Sequence, residues 1–261
     1  MKGLYAIYRK ELGHYFVSPV AYIIIGLFLL VSAYFFVLIL GNVIQQSYQA
    51  TMESMQYGGG MAFDAPSMAV GGFFGILSTL MLFLAPFLTM GLYSEERKRG
   101  TFELLMTSPI TETQIVLGKF LAACTLLMIM LLPTAGDLIY LFFHSEPSPP
   151  WRVLLSAYIG IFLLGSAIFA IGSFFSSVTE SQLIAAMLTF SAILLLWVVG
   201  YGTDSTGYLA SALQYLSLIR HYDDFTRGVV DTTGLIYYGS FIFLGVFLTV
   251  RSVDSMRWRR A

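Results

Sequence analysis

The chain has 261 residues, 57% of them hydrophobic and 11% charged, with a formal net charge of −1 and a mean hydropathy of +0.77. These values exclude an ordinary water-soluble domain, and the near-neutral charge leaves no electrostatic footprint for nucleic acid. The length accommodates about six spans of about 20 residues with their connections and leaves no room for a soluble catalytic domain. The expected fold class is therefore an all-α, polytopic membrane protein with six transmembrane helices.

In chain order, residues 1–19 are too polar to span but amphipathic at 100° per residue. Leu4, Tyr5, Ile7, Tyr8, Leu12, Tyr15 and Phe16 fall on one face, with Lys2, Arg9, Lys10, Gly13 and His14 opposite. This predicts an interfacial helix on the cytoplasmic leaflet. Glu11 breaks the pattern by pointing into the apolar stripe, where an unpaired carboxylate is costly. Two readings stand for it: a cation from the segment after the second span or from a soluble partner, or a protonated or snorkelling side chain.

Pro19 leads into a first span at 20–40. The loop expected after it is rich in Gln, Ser, Met and Gly and contains Glu53 and Asp64 but no Lys or Arg, which places it outside. A second span at 71–92 opens with Gly71 and Gly75 in small-xxx-small spacing, suited to packing within the bundle or at a dimer seam. Pro86 is expected to kink it.

Residues 94–109 are the most polar stretch, with six charges between positions 95 and 103. The triplet Arg97-Lys98-Arg99 puts the segment on the cytoplasmic side. Gly100 breaks the preceding turn, Glu103 suits the first turn of a short helix, and Pro109 stops that helix. The stub presents Phe102, Leu105 and Met106, which fits either a knob for a cleft on a soluble partner or a short helix packed on its own bundle.

Thr111-Glu112-Thr113-Gln114 is a capping box for a third helix at 112–143, long enough for its Lys119 end to project into the cytoplasm. Pro133 bends it one turn before Asp137. A carboxylate at mid-membrane costs about 2.5–3.5 kcal/mol on insertion scales, so Asp137 reads either as a structural hydrogen-bonding or ion-pairing group or as part of a transport path. A fourth span at 153–175 is followed by a tight turn at Ser176-Ser177-Val178. A second capping box, Thr179-Glu180-Ser181-Gln182, starts a fifth span at 183–201.

Between 202 and 233 the apolar run Leu209 to Ile219 is too short to cross, and a pair of short extracytoplasmic re-entrant or interfacial helices is expected. Arg220, His221, Asp223, Asp224, Arg227 and Asp231 follow around Tyr222, Phe225 and Gly228, with Tyr222 and Phe225 expected at headgroup level. A sixth span at 235–250 ends in a basic tail. In this arrangement eleven of the fourteen Lys and Arg lie inside, with Arg152, Arg220 and Arg227 outside, so both termini are cytoplasmic. The sequence gives no sign of a signal peptide.

The string Glu95-Glu96-Arg97-Lys98-Arg99-Gly100-Thr101-Phe102-Glu103-Leu104-Leu105-Met106-Thr107-Ser108-Pro109-Ile110, followed by Ile115-Val116-Leu117-Gly118-Lys119, resembles the coupling segment of ABC-2 type transporter permeases. Phe225-Thr226-Arg227-Gly228-Val229-Val230-Asp231 is similar to a string before the last span of that family. The chain most resembles the permeases associated with gliding motility and, more distantly, those associated with copper-enzyme maturation. The resemblance implies a single transmembrane domain over 1–261 whose cytoplasmic coupling helix docks on a separate ATPase. It further implies two ATPase copies binding ATP and Mg, a second permease copy or a paralogue, and a bacterial inner-membrane exporter, with a periplasmic or membrane auxiliary protein as a further partner. A second class uses the same segment: a mechanical module that pulls on an extracytoplasmic partner without passing substrate through itself.

No cofactor site or catalytic site is expected in the chain itself. Gly118-Lys119 precedes Phe120 and has no upstream glycine, so it is not a phosphate-binding loop. His14, His144 and His221 are scattered without metal-ligand spacing, and the single Cys124 is expected to pack as a small hydrophobe.

Overall fold

A computed structural model describes residues 2–57, 64–101, 110–146, 148–199 and 214–258. Regular structure among these residues is helical throughout: α1 Lys2–Val17, α2 Pro19–Tyr57, α3 Ala65–Thr89, α4 Gly91–Lys98, α5 Glu112–Leu131, a 3-10 turn Leu132–Thr134, α6 Ala135–His144, α7 Trp151–Val178, α8 Gln182–Val198, α9 Leu218–Thr226 and α10 Thr232–Trp258. Helix starts follow local chemistry. The Asp64 carboxylate accepts from Ser67 N (3.2 Å) with Pro66 in the first turn, Thr111 Oγ1 accepts from Gln114 N (3.4 Å), and Ser217 Oγ accepts from Arg220 N (3.4 Å).

α7 is the axis of the bundle. α3 runs parallel to it, with Phe74 edge-on to Tyr158 at one end (5.1 Å between centroids) and Thr89 against Gly172 towards the other. α5 runs antiparallel to it, Leu127 lying on Gly165, whereas α10 runs parallel, with Gly234 beside Phe225 at the Gly160 end, Gly245 on the Ala170 backbone and Val253 packed with Leu92 and Tyr93 at the Ser176 end. Phe73, Phe74, Leu77, Met81, Leu127, Met130, Ile161 and Phe169 make a dry core between these four helices. α2 and α8 lie outside it and expose many large apolar side chains. Five helical segments are long and apolar enough to cross a membrane, namely Pro19–Gln56, Ala65–Lys98, Glu112–His144, Trp151–Val178 and Thr232–Met256, while Gln182–Val198 is apolar but shorter.

The structure corrects several expectations. The stretch after residue 40, read as a loop, continues α2 to Tyr57, because residues 42–57 contain neither Gly nor Pro and include four Gln and two Met, which are good helix formers. Ser176-Ser177-Val178 is not a turn but the last turn of α7, where Ser177 Oγ donates to its own Phe174 carbonyl (2.7 Å). The N-cap of α8 is Ser181, which accepts from Ile184 N (3.5 Å), rather than Thr179. α1 turns its apolar face to the protein: Gly118 of α5 lets Ile7 and the Leu4 carbonyl approach so closely that a Cβ there would stand 2.9 Å from Ile7. Tyr5 and Phe16, assigned to that face, are exposed.

Candidate functional site

The basic end of the bundle gathers α1, α4, the start of α5 and the end of α7. Gly100, at φ +70°, ends α4 in the left-handed conformation that glycine adopts without strain. Phe102, Leu105 and Met106, the expected knob, and Glu103, expected in its first turn, lie outside the described residues. The two feet of their segment, Arg99–Thr101 and Ile110–Thr111, are described, and α1 touches the second foot and the end of α4 just before the first. Gly3 packs beside Ile110 and Gln114, and Lys10 Nζ donates to Glu96 Oε1 (2.8 Å) just before the first foot.

At the centre of this end is Lys119, 1% exposed. Its ammonium donates to the Leu92 carbonyl at the entry to α4 (2.7 Å) and to Glu11 Oε1 of α1 (3.1 Å). It also stands 3.0 Å from Glu96 Oε2 of α4, an ion pair without hydrogen-bond alignment, and 5.3 Å above the Tyr93 ring. Lys10 adds contacts of 2.8 Å to Glu96 and 3.4 Å to Glu11, so two ammoniums and two carboxylates alternate with no net charge. Half-burial of Lys10 pulls its affinity for protons down, but hydrogen bonds and charge from Glu96, then Glu11, outweigh this and raise it above the ordinary value of 10.5. A buried charge is tolerated only when paired and hydrogen-bonded, and Lys119 has two acceptors and a second carboxylate, all from two other elements.

α4 is tied to α7 by a second set of contacts. Ser176 Oγ accepts from Tyr93 N (3.1 Å) and Ser94 N (3.3 Å) and donates to the Met90 carbonyl (2.7 Å). Arg97 donates to the Ser177 carbonyl at the C-terminus of α7 (2.7 Å) and pairs with Glu180 (3.2 Å). There its charge also meets the negative end of the helix dipole. Arg99 pairs with Glu95 one turn back (2.6 Å). Of the basic triplet, Lys98 and Arg99 therefore face outwards while Arg97 is built into the fold.

Arg9 is exposed beside this cluster. Glu11 finds its cation on α5, where the sequence reading had Lys119 projecting into the cytoplasm. A helical count would have revealed it, because Ile115, Lys119, Ala122 and Leu126 recur at three and four residues and all are buried. Nothing in the sequence pointed to Ser176.

At the opposite end, Tyr222 and Phe225 leave the expected headgroup level and plug the core, at 1% and 0% exposure. Phe225 sits on Gly160, Ser156 Oγ donates to the Phe225 carbonyl (2.7 Å), and Tyr222 Oη donates to the Phe74 carbonyl (3.0 Å). The half-turn between Arg220, Asp223, Asp224 and Arg227 faces out, and Gly228 closes α9 at φ +85°. His221 is buried and stacks on Tyr237 at 3.9 Å. Asp231 lies just before α10, and Asp137 is half-buried in the first turn of α6, where the dipole favours an anion. These groups do not join the basic-end cluster.

No curated protein matches the chain. A family profile described as ABC-2 family transporter protein matches residues 5–250. That match runs from α1 through both ends of the bundle to the last helix, so the chain belongs to the ABC-2 family of transporter proteins, a multi-pass membrane permease whose family implies an ABC ATPase as partner.

Proposed function

We propose that the chain is the permease of an ABC exporter in the bacterial inner membrane, paired with a second permease copy or a paralogue. Two copies of a separate cytoplasmic ATPase, which bind ATP and Mg, drive it. The chain crosses six times, Gln182–Val198 being the fifth crossing, with both termini cytoplasmic. The direction of alternation of α2, α3, α5–α6, α7, α8 and α10 supports that count, and the positive-inside rule supports the orientation, since Arg97, Lys98, Arg99 and Lys119 share one end. Within the family, the strings at 93–120 and 216–231 favour the permeases associated with gliding motility.

The observation that carries this reading is the Lys119 junction. A segment that receives an ATPase must pass displacement to the spans, and a loop whose feet were held only by backbone would absorb it. Here α1 packs on the second foot and pairs with α4 just before the first, and Lys119 joins α1, α4 and α5 through buried ion pairs and a hydrogen bond to the Leu92 carbonyl. Closure of the ATPases on 102–109 then moves the three elements as one lever, and Arg97 and Ser176 carry the movement into α7. His14 and Thr101 face the same small cavity between α1 and the first foot. Joining His14→Cys to Thr101→Cys with a cleavable bifunctional maleimide, in a Cys124→Ala background, should leave ATP hydrolysis by the complex within about twofold of the untethered level. Loss of hydrolysis on tethering, with recovery on cleavage, would mean that α1 and α4 separate during the cycle and that the lever does not exist.

A further inference from the structure

α2 has 39 residues. At about 1.5 Å per residue it is about 58 Å long, twice the roughly 30 Å of hydrocarbon it has to cross. Its last part, 41–57, therefore extends beyond the membrane, where lipid cannot cover apolar groups. Ile44, Tyr48, Met52 and Met55 are nevertheless exposed there, by 52%, 68%, 68% and 78%. At 100° per residue these four, with Gly41 and Thr51, fall in a sector about 100° wide. Asn42, Gln46, Gln49, Glu53 and Gln56 occupy a second sector centred about 130° round the helix, and Val43, which is buried, lies on the bundle side between the two. The exposed sector continues without a break into the span through Ile23, Leu27, Leu30, Tyr34 and Val37. Inside the membrane such a face is ordinary; outside it, the face needs protein.

We propose that this face pairs α2 with α2 of a second copy of the chain, parallel and in register. The spacing Ile23, Leu27, Leu30, Tyr34, Val37, Gly41, Ile44, Tyr48, Thr51, Met55 alternates steps of four and three, the pattern of a two-helix seam rather than of a flat docking surface. Two copies inserted in one membrane have the same orientation, so identical helices meet parallel and identical residues face each other. The seam bears no charge, and Glu53 points away from it, so self-pairing brings no like charges together. Gly41 permits close approach where the helix leaves the hydrocarbon. Among residues 41–56 only Val43 is buried, and since most helical stability comes from packing of an apolar face, pairing supplies what the bundle does not.

This inference rests on the paired-permease reading, and its test separates the two. Single substitutions Ile44→Cys, Tyr48→Cys and Met55→Cys, against controls Gln46→Cys and Glu53→Cys, are made in the full-length Cys124→Ala chain and oxidised with copper phenanthroline in native membranes. The seam positions should give a covalent dimer at least fivefold more efficiently than the controls. Equal yields at seam and control positions, or a seam link to a different polypeptide, would overturn the proposal. The native mass of the detergent-purified complex distinguishes the failures: two copies without a seam link reject only the seam, and one copy per particle rejects the pairing as well.

Discussion

Replacing Lys119 by methionine keeps the length of the side chain and removes its charge and all three donors. The Leu92 carbonyl loses a 2.7 Å partner, and Glu11 and Glu96 keep only Lys10, whose side chain is 56% exposed. Breaking a buried ion pair from one side costs about 3–5 kcal/mol. Lys10 remains beside both carboxylates and Glu96 is partly solvated, so the lower bound, about 3 kcal/mol, applies. With about 2–4 °C of melting temperature per kcal/mol for a chain of this size, Lys119→Met should lower the midpoint in detergent by about 6–12 °C, read by intrinsic fluorescence. Adding Glu11→Gln and Glu96→Gln removes the stranded charges and should restore at least half of that loss, since neutral groups in the same shape carry a far smaller desolvation penalty. A drop below about 2 °C for the single change, or a further drop on neutralising the two carboxylates, would refute the network as described.

Ser176→Ala leaves the Tyr93 and Ser94 amides buried without their acceptor, at a cost of about 1–3 kcal/mol; hydrogen exchange at α4 should accelerate while α10 keeps its protection. Gly160→Leu would drive a side chain into Phe225, so proteolysis near α9 should increase while the basic end still supports ATPase binding. Lys10 binds its proton more tightly in the folded chain than its ordinary value of 10.5, so its stabilisation is complete below about pH 10.5 and fades as pH rises through the folded value. Lys10→Met should therefore flatten the alkaline limb of the melting profile, by a small amount because the side chain is more than half exposed. A variant whose alkaline limb matched the parent would show that this proton is not linked to folding.

The apolar runs and the capping residue Thr111 were legible in the sequence because each acts within a turn of its own position. The glycine after the basic triplet was legible for the same reason. Glu11 could be recognised as a group in need of a cation, but its partner is 108 residues away, and only the packing of α1 on Gly118 makes Lys119 that partner. Lys119 was misread because a lysine near the end of a span usually snorkels, whereas here two acceptors and a second carboxylate hold it inside. The length of α2 was missed because polar residues after a span suggest a loop when the only signal weighed is hydropathy; helix propensity pointed the other way. Tyr222 and Phe225 were assigned to the interface as aromatics beside charges, and it took Gly160 on a neighbouring helix to make room for them in the core.

Docking of an ATPase is expected at the end of the bundle that carries Lys98 and Arg99. The most direct measurement is ATP hydrolysis by the tagged chain purified from native membranes in mild detergent, compared across the parent, Lys98→Glu/Arg99→Glu and the opposite-end pair Asp223→Asn/Asp224→Asn. All four positions are exposed, so the three proteins should melt within about 2 °C of one another. The parent and the opposite-end variant should carry an ATP-hydrolysing subunit in equal yield, and the basic-end variant should lose at least four-fifths of the activity. Equal hydrolysis in all three, or loss confined to the opposite-end variant, would contradict it.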